Sequence, residues 1–248
     1  MPKRKTAGNN AYQKVLIAPS ILAANLDNLA AEARRVEKAG ADFIHVDVMD
    51  GRFVARKVLG LKETQKLHKA TRLALDVHLM VAEPWKKVEA YAKAGAKRIC
   101  VHAEAGNASQ ILKTIKLIKK SGAKAGIAVK PQTPLNTIDT RIFEACDFIM
   151  PMTVTPGASG QPFMESALGH FDKVRSFLKN KRLQKEFEAD GGINDTTARL
   201  AVKHGATVLV AGSAIFGALN AKAAIAKLRK SASSKIKAVR SIKVTRRQ

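Results

Sequence analysis

Short apolar runs of strand length alternate along the chain with longer amphipathic segments. The run from Phe43 to Val48 is typical of the first kind, whereas the segments Leu29 to Lys38, Trp85 to Lys93 and Ile111 to Lys120 have apolar residues at helical spacing. Regular alternation of strands and helices predicts a parallel sheet of βα units. Eight strands are predicted, at residues 15–19, 43–48, 73–79, 98–102, 125–129, 147–153, 186–190 and 207–211.

The dipeptide Gly-Ala precedes several of these apolar runs and marks an internal repeat. It occurs at Gly40, Gly95, Gly122 and Gly205, with gaps of 55, 27 and 83 residues, which are close to multiples of one unit of about 28. Eight βα units in 248 residues predict a closed (β/α)8 TIM barrel. A doubly wound open sheet is the alternative, but no Gly-x-Gly-x-x-Gly follows the first strand to support it.

The net charge of +24 is concentrated at the two ends of the chain, while hydrophobic residues make up 46% and suffice for a large core. Residues 1–14 contain four basic residues and residues 227–248 contain nine, and neither stretch has an acid. We therefore expect a basic N-terminal extension (1–14), a barrel domain (15–226) and a basic C-terminal tail (227–248). Such ends bind RNA or another polyanion through its phosphates, or act only as solubilising extensions.

Cysteine usage and hydropathy bear on the compartment. Cys100 and Cys146 lie within apolar runs, which favours buried thiols in a reducing compartment. No apolar stretch approaches the roughly 18 residues of a membrane span, and no signal-peptide pattern is present. These features favour a cytoplasmic location. The basic run at Lys3 to Lys5 leaves a nuclear signal open, and the acid-free start leaves a mitochondrial leader open.

Chemically capable side chains stand at the C-terminal ends of the predicted strands, where barrel enzymes place their active sites. His45 and Asp47 are two residues apart and share one face of a strand, while His78 and Asp190 end two other strands. Two imidazoles and two carboxylates together suit a borderline divalent metal. The residues at or just past strand ends are Ser20, Asp47, His78, His102, Lys130, Met152, Asp190 and Ser213.

Glycine-containing turns follow the last three predicted strands. They are Gly157-Ala158-Ser159-Gly160, Gly191-Gly192 and Gly212-Ser213. Barrels commonly bind phosphate with these loops, because glycine lets backbone N–H groups approach an anion closely. The three turns predict a phosphate site, although an ordinary tight turn is the alternative for each of them.

Seven sequence blocks occur in a fixed order between about residue 15 and residue 218. They are Ile17 to Leu22, His45 to Gly51, Asp76 to Met80, Met152 to Gly157, Gly160 to Phe163, Asp190 to Ile193 and Gly212 to Ile215. In sequence and order they resemble the ribulose-phosphate 3-epimerase family. The resemblance leaves only the basic ends uncovered.

The resemblance implies an enzyme that interconverts D-ribulose 5-phosphate and D-xylulose 5-phosphate by inverting C3. It implies one divalent ion (Zn²⁺, Fe²⁺, Mn²⁺ or Co²⁺) held by His45, Asp47, His78 and Asp190, which would stabilise the enediolate. Asp47 would remove a proton from one face, and Asp190 would return one on the other. The substrate-binding residues expected from the resemblance and the loops are Ser20, Met49, His78, Met80, Met152, Gly157, Ala158, Ser159, Gly160, Gly191, Gly192, Gly212 and Ser213.

Two loops depart from the family pattern. The sequence from Arg52 to Arg56 reads Arg-Phe-Val-Ala-Arg where the family usually has His-Phe-Val-Pro-Asn, and its two arginines are candidates to hold the substrate phosphate. Ala158 and Ser159 interrupt the glycine-rich loop. A hexulose-phosphate 3-epimerase, or a degenerate or dual-role homologue recruited to RNA or a ribonucleoprotein, therefore stays open. Association of helical outer faces into a homo-oligomer is a further expectation.

Overall fold

The structure is a computed structural model that describes residues 14–233. Its strands are β1 (Leu16–Pro19), β2 (Phe43–Asp50), β3 (Lys57–Val58), β4 (Ala74–Met80), β5 (Ala96–His102), β6 (Lys124–Val129), β7 (Phe148–Pro151), β8 (Glu186–Asp190) and β9 (Val208–Ala211). Its helices are α1 (Leu29–Lys38), α2 (Leu61–Ala70), α3 (Val88–Lys93), α4 (Ala108–Lys120), α5 (Thr140–Ala145), α6 (Leu168–Asn180), α7 (Asp195–Lys203), α8 (Ser213–Phe216) and α9 (Ala221–Ser233).

The eight parallel strands close on themselves. Seven of them lie side by side in chain order from β2 through β4 to β9, and β1 pairs with β9. A parallel bridge between Ser20 and His45 joins the end of β1 to β2 and closes the ring. This closure confirms the predicted (β/α)8 barrel and excludes the open sheet. The additional strand β3 was not predicted, and it pairs antiparallel with the end of β2.

The predicted elements overlap the observed ones and differ mainly at their ends. Helix α4 begins at Ala108 rather than Ile111, because the Asn107 side chain accepts a hydrogen bond from the Gln110 N–H at 3.0 Å and caps the helix. The predicted helix from Trp85 to Lys93 is divided into a 3-10 turn at Pro84–Lys86 and the short helix α3.

Helix α9 runs through the expected domain boundary at residue 226. Its Leu228 and Ala232 are buried, and Arg229 donates to the backbone oxygen of Gly40. The packed part of the chain therefore extends to Ser233 rather than ending at residue 226. The expected basic ends otherwise lie outside the described residues.

Two expectations about the whole chain can be compared with residues 14–233. Cys100 and Cys146 are both buried and free, as their apolar surroundings predicted. No helix in this part of the chain has the length and apolar character needed to cross a membrane.

Alternation along each strand separates the outer core from the barrel interior. In β2, Ile44, Val46 and Val48 are buried beneath the helices, while His45 and Asp47 face the barrel axis. The interior also contains Phe148, whose ring occupies the space beside Gly126 of β6. A Cβ atom at Gly126 would lie 2.2 Å from that ring, so the neighbouring strand needs glycine there.

We predict that Gly126→Ala destabilises the barrel by about 1–3 kcal/mol, because the added methyl group has to displace the buried Phe148 ring. Gly169→Ala is the matched control, since nothing lies within 4 Å of a Cβ at this helical glycine. It is expected to be neutral or stabilising by up to about 1 kcal/mol. Urea unfolding followed by circular dichroism measures both values, and equal effects would contradict the packing argument.

Candidate active site

Four side chains converge at the C-terminal end of the barrel. His45 and Asp47 project from β2, His78 from β4 and Asp190 from β8. Nitrogen and oxygen atoms from all four lie within 4.8 Å of one another. Asp47 and Asp190 are 5% and 9% exposed, and both histidines are fully buried. The fold therefore brings together the two imidazoles and the two carboxylates that were expected as metal ligands.

The His45 ring presents its two nitrogens to two different pairs of carboxylates. Nδ1 lies 3.1 Å from Asp76 Oδ2 and 3.3 Å from Glu188 Oε1. Nε2 lies 3.5 Å from Asp47 Oδ1 and 3.8 Å from Asp190 Oδ2, and it has no hydrogen-bond partner. A buried, unpartnered ring nitrogen aimed between two carboxylates has the orientation of a metal ligand.

Arg98 binds the deeper pair of carboxylates. Its Nε donates to Asp76 Oδ1 at 3.2 Å, its Nη2 donates to Glu188 Oε2 at 2.8 Å, and its Nη1 donates to Glu186. The guanidinium also lies 4.0 Å from the centre of the Phe148 ring. Although burial opposes its charge, the three acids raise the pKa of Arg98. One buried cation thus compensates three carboxylates at the centre of the barrel.

His78 is oriented by a second chain of hydrogen bonds. Its Nδ1 lies 3.3 Å from Asp47 Oδ1 and 3.5 Å from Asp190 Oδ2. Its Nε2 lies 2.9 Å from His102 Nε2, and His102 Nδ1 lies 3.2 Å from Glu104 Oε2. Glu104 in turn accepts from the backbone N–H of Lys130 and the hydroxyl of Thr133, at 2.8 and 2.6 Å. His102 therefore supports His78 and does not join the four clustered residues.

This chain of bonds determines which nitrogen of His78 is free. Burial is the main cause that lowers the pKa of His102 to about 4, so its ring is neutral at pH 7. A neutral His102 that donates Nδ1–H to Glu104 accepts at Nε2 from His78 Nε2–H. His78 Nδ1 is then the nitrogen that faces Asp47 and Asp190, whose carboxylates raise the pKa of this ring against the effect of burial, so a metal ion would bind there in place of a proton.

The electrostatics at the four residues favour a cation. Burial alone would lower the pKa of His45, but Asp47, Asp76 and Glu188 together raise it well above its usual value. Burial alone would raise the pKa of Asp47, but His45 and His78 together lower it far below the ordinary range. The negative field that would hold a proton on His45 would equally hold a divalent metal, and the donor set fits one.

A second group of donors, His45 Nδ1 with Asp76 and Glu188, is also compact enough for an ion. Both of its carboxylates are already bound by the Arg98 guanidinium, whose charge would repel a divalent cation. All three residues are fully buried. Burial and the charge of Asp76 raise the pKa of Glu188 to about 7, which further weakens this site. The upper group of His45, Asp47, His78 and Asp190 is the better candidate.

A cavity of about 500 Å³ opens above the four residues. Asp47 and Asp190 line it, whereas His45 and His78 lie behind them. Of the residues expected to bind substrate, only His78 is outside the lining. The expected residues that line the cavity are Ser20, Met49, Met80, Met152, Gly157, Ala158, Ser159, Gly160, Gly191, Gly192, Gly212 and Ser213.

Comparisons with known proteins show the family of this chain. The model of the ribulose-phosphate 3 epimerase family matches residues 16–216. The chain belongs to this family. The ribulose-phosphate 3-epimerase of Bacillus subtilis is 43% identical over 216 residues, which cover 87% of this chain and 98% of the relative. That of Synechocystis is 40% identical over 219 residues, 88% of this chain and 95% of the relative. Ribulose-phosphate 3-epimerases are isomerases.

Solved structures with the same barrel are more distant in sequence. A 3-hexulose-6-phosphate synthase superposes with a TM-score of 0.65 at 20% identity, over 87% of this chain and 99% of that one. KGPDC from Streptococcus mutans superposes with a TM-score of 0.68 at 13% identity, over 89% of this chain and 98% of that one. Likeness at these identities establishes the shared barrel and nothing about the reaction.

The glycine-rich loops at the cavity mouth are needed for close packing. Gly191 and Gly192 have φ angles of +119° and +63°. A Cβ at Gly191 would lie 2.4 Å from the Val154 side chain, and one at Gly192 would lie 2.6 Å from the Phe163 nitrogen. Larger residues at either position would therefore open the loop and change the mouth of the cavity.

Ala158 and Ser159 interrupt the family's glycine-rich pattern, but the loop that contains them is still held together by hydrogen bonds. Gln161 Nε2 donates to the backbone oxygens of Thr155 and Ala158, at 2.7 and 2.9 Å, and ties the loop to itself. Both Ala158 and Ser159 still line the cavity.

The other departure from the family pattern lies in the hairpin between β2 and β3. Arg52 and Arg56 were candidates to hold the substrate phosphate, but neither lines the cavity. Arg52 lies 3.4 Å from Glu83 instead. Phe53 packs on the His102 ring at 4.8 Å between centres, and Lys130 Nζ lies 4.1 Å from the centre of the Phe53 ring. The hairpin therefore covers the residues that support His78.

Asp76, Arg98 and Glu188 were not among the residues expected in the site. In the sequence, each of them lies an even number of residues before a strand-end residue that was considered for the site. Asp76 precedes His78 by two residues, Glu188 precedes Asp190 by two, and Arg98 precedes His102 by four. Each pair shares the inward face of one strand. The even spacing indicates that these side chains point into the barrel. Only the register between the strands shows that the three residues meet there.

We predict that Arg98→Met destabilises the barrel by about 3–5 kcal/mol, because three carboxylates lose their buried counter-charge. Adding Glu188→Gln should recover part of the loss by removing one of those acids. Arg141→Met is the control: Arg141 pairs with Asp139 in an exposed contact, so its loss should change stability little. Urea unfolding compares the variants, and a similar midpoint for Arg98→Met and Arg141→Met would contradict the role of Arg98.

Proposed function

We propose that this chain is a metal-dependent epimerase that interconverts D-ribulose 5-phosphate and D-xylulose 5-phosphate. The observation that carries the proposal is the convergence of His45, Asp47, His78 and Asp190 beneath a cavity. Relatives over 40% identical that bear the name ribulose-phosphate 3-epimerase support the choice of reaction. None of the departures from the family pattern removes one of the four residues.

The proposed ligands of the divalent ion are His45 Nε2, His78 Nδ1 and the carboxylates of Asp47 and Asp190. When bound, such an ion polarises the substrate carbonyl and stabilises the negative charge that develops on deprotonation beside it. The chain contributes the rigidity of the site: Asp76 holds His45 and His102 holds His78 in the required orientation. This donor set suits Zn²⁺, Fe²⁺, Mn²⁺ and Co²⁺.

Inversion at C3 requires one proton-transfer group on each face of a planar intermediate. Asp47 and Asp190 fit this requirement because both line the cavity and come from β2 and β8, which are separated in the ring by β1 and β9. The lowered pKa of Asp47, which His45 and His78 cause against the effect of burial, keeps it ionised as the base. Asp190 would supply the proton on the other face, and the two roles exchange in the reverse direction.

Ser20 positions the proposed base. Its hydroxyl donates to Asp47 Oδ2 at 2.6 Å, while Asp47 Oδ1 lies nearest to His45 and His78. The bond fixes the carboxylate plane at the bottom of the cavity. The hydroxyl also borders the cavity and lies within reach of a bound substrate.

The walls of the cavity suit a small phosphorylated ketose. The thioether side chains of Met49, Met80 and Met152 line the same cavity as Asp47 and Asp190 and give it apolar walls. The glycine-rich loops around Gly157 and Gly191 lie at the mouth, where backbone N–H groups can approach a phosphate. The proposed arrangement places the ketose over the acids and its phosphate at the loops.

We predict that the purified, metal-loaded chain converts D-ribulose 5-phosphate to D-xylulose 5-phosphate. Asp47→Asn and Asp190→Asn should each lower kcat by at least about 10²–10⁴-fold, since each removes one proton-transfer group. The coupled assay for xylulose 5-phosphate measures the rate, and solvent deuterium incorporation at C3 reports proton transfer separately. Asp195→Asn is the control, because Asp195 lies outside the cavity and pairs with Lys227.

Metal content and circular dichroism of each variant separate loss of the ion or fold from loss of proton transfer. A folded, metal-loaded wild-type chain without turnover would overturn the proposal. Faster conversion of a hexulose 6-phosphate than of ribulose 5-phosphate would overturn the assigned substrate. The proposed proton transfer by Asp47 and Asp190 would still stand.

Ser20→Ala tests the positioning of Asp47. We expect kcat to fall about tenfold or more, because a hydrogen bond to a charged group is lost at the base. Retained metal content and a thermal midpoint well above the assay temperature should accompany the loss. Ser20→Thr keeps a hydroxyl and should recover part of the rate, so equal rates for the two variants would count against this role.

A further inference from the structure

A groove of about 1070 Å³ lies at the opposite end of the barrel from the cavity. Its walls are the second half of α6, the loop that enters β8, and the residues just before β9. Three basic side chains from one wall line it: Arg175, Lys179 and Arg182. We call it the α6 groove.

The positive charge of the α6 groove is not balanced by its acids. Arg175, Lys179 and Arg182 are exposed and form no ion pair with any acid in residues 14–233. The two acids in the lining already have partners: Asp172 binds His204 at 2.8 Å, and Glu186 binds Arg98. The groove therefore presents a net positive surface to solvent.

Arg182 adopts a conformation that would suit glycine better. It follows the end of α6 with a φ of +55°, and the Leu183 N–H reaches back to the Leu178 oxygen at 2.9 Å. Four other helices of the barrel end in the same way on a glycine with positive φ. These glycines are Gly40, Gly95, Gly122 and Gly205. Arginine at this position costs stability that glycine would not, and it adds a cation to the groove.

The start of β1, which follows the basic residues 1–14, lies beside this groove. The Leu16 N–H at the start of β1 donates to the oxygen of Thr207, which lines the groove, at 2.9 Å. Lys14 and Arg229 both contact Asp42 at the same end of the barrel. The sequence outside residues 14–233 contains no acid. Its basic residues are Lys3, Arg4, Lys5, Lys235, Lys237, Arg240, Lys243, Arg246 and Arg247.

We propose that the α6 groove binds the phosphate backbone of a single-stranded nucleic acid, a function separate from the epimerase site. Unpaired arginine and lysine side chains in a concave surface suit a strand that enters between the walls. A flat membrane surface would not reach the floor of the groove. Phe187 is the aromatic residue in the lining and is only 4% exposed, so no ring is available for base stacking. Binding should therefore be independent of sequence and strongly dependent on salt.

The test measures binding of the full chain to a fluorescent single-stranded RNA of about 20 nucleotides, with DNA of the same sequence as a second probe. Fluorescence anisotropy over a range of salt concentrations gives the slope of log K against log salt. Arg182→Gly should weaken binding about three- to tenfold and lower the slope by about 0.7, the value for one phosphate contact. Adding Lys179→Gln should lower the slope by about 1.4 in all.

Two controls make the outcome specific. Lys113→Gln with Lys116→Gln removes the same charge from the exposed face of α4, outside the groove, and should leave binding unchanged. Arg182→Gly should keep or raise the thermal midpoint, because glycine relieves the positive φ, and should keep the turnover of ribulose 5-phosphate. A loss of affinity in such a variant cannot come from unfolding.

Four results would overturn the proposal. The first is no binding of the RNA or the DNA by the wild-type chain at low salt. The second is equal affinity and slope for the wild-type chain and the variant Lys179→Gln with Arg182→Gly. The third is an equal loss in the α4 control, which would mean that only total charge matters. The fourth is tighter binding to anionic phospholipid vesicles than to either strand, lost with Arg182→Gly. That result would mean that the groove binds a membrane surface instead of a nucleic acid.

Discussion

The buried imidazole of His45 lies between two pairs of carboxylates, and the organisation of the barrel interior follows from this contact. One pair, Asp47 and Asp190, borders the cavity, and the other pair, Asp76 and Glu188, is bound by Arg98. Four acids around one ring would not be stable without compensating positive charge. Arg98 supplies it below the ring, and a divalent ion would supply it above. With such an ion bound, the interior would be a column of alternating charge that ends at the cavity.

A second column supports the other imidazole and makes the site rigid from two sides. His78 is held through His102 by Glu104, which is itself anchored by the backbone of Lys130. Each histidine therefore presents one nitrogen to the acids while its other nitrogen is held by a distal partner. The ring orientations come from strands of the barrel rather than from loops. This explains how the loops at 52–56 and 158–159 can differ from the family pattern without moving the four clustered residues.

Much of the fold and the centre of the site could be predicted from the sequence, because both depend on local pattern. The alternation of apolar runs and helical segments predicts the barrel, and the barrel places His45, Asp47, His78 and Asp190 at one end of it. The supporting residues could not be predicted in the same way. Asp76, Arg98 and Glu188 meet only through the register of three strands, and no local signal specifies that register. Strand β3, two residues long, has too short a pattern to detect.

The most direct test of this account is a crystal structure of the chain grown with Mn²⁺ or Zn²⁺ and measured at the absorption edge of the metal. We expect one anomalous peak per chain, within about 2.0–2.3 Å of His45 Nε2, His78 Nδ1 and a carboxylate oxygen each of Asp47 and Asp190. A peak on the other side of the His45 ring, between Asp76 and Glu188, would contradict the account. So would a metal-saturated crystal with no peak at either position.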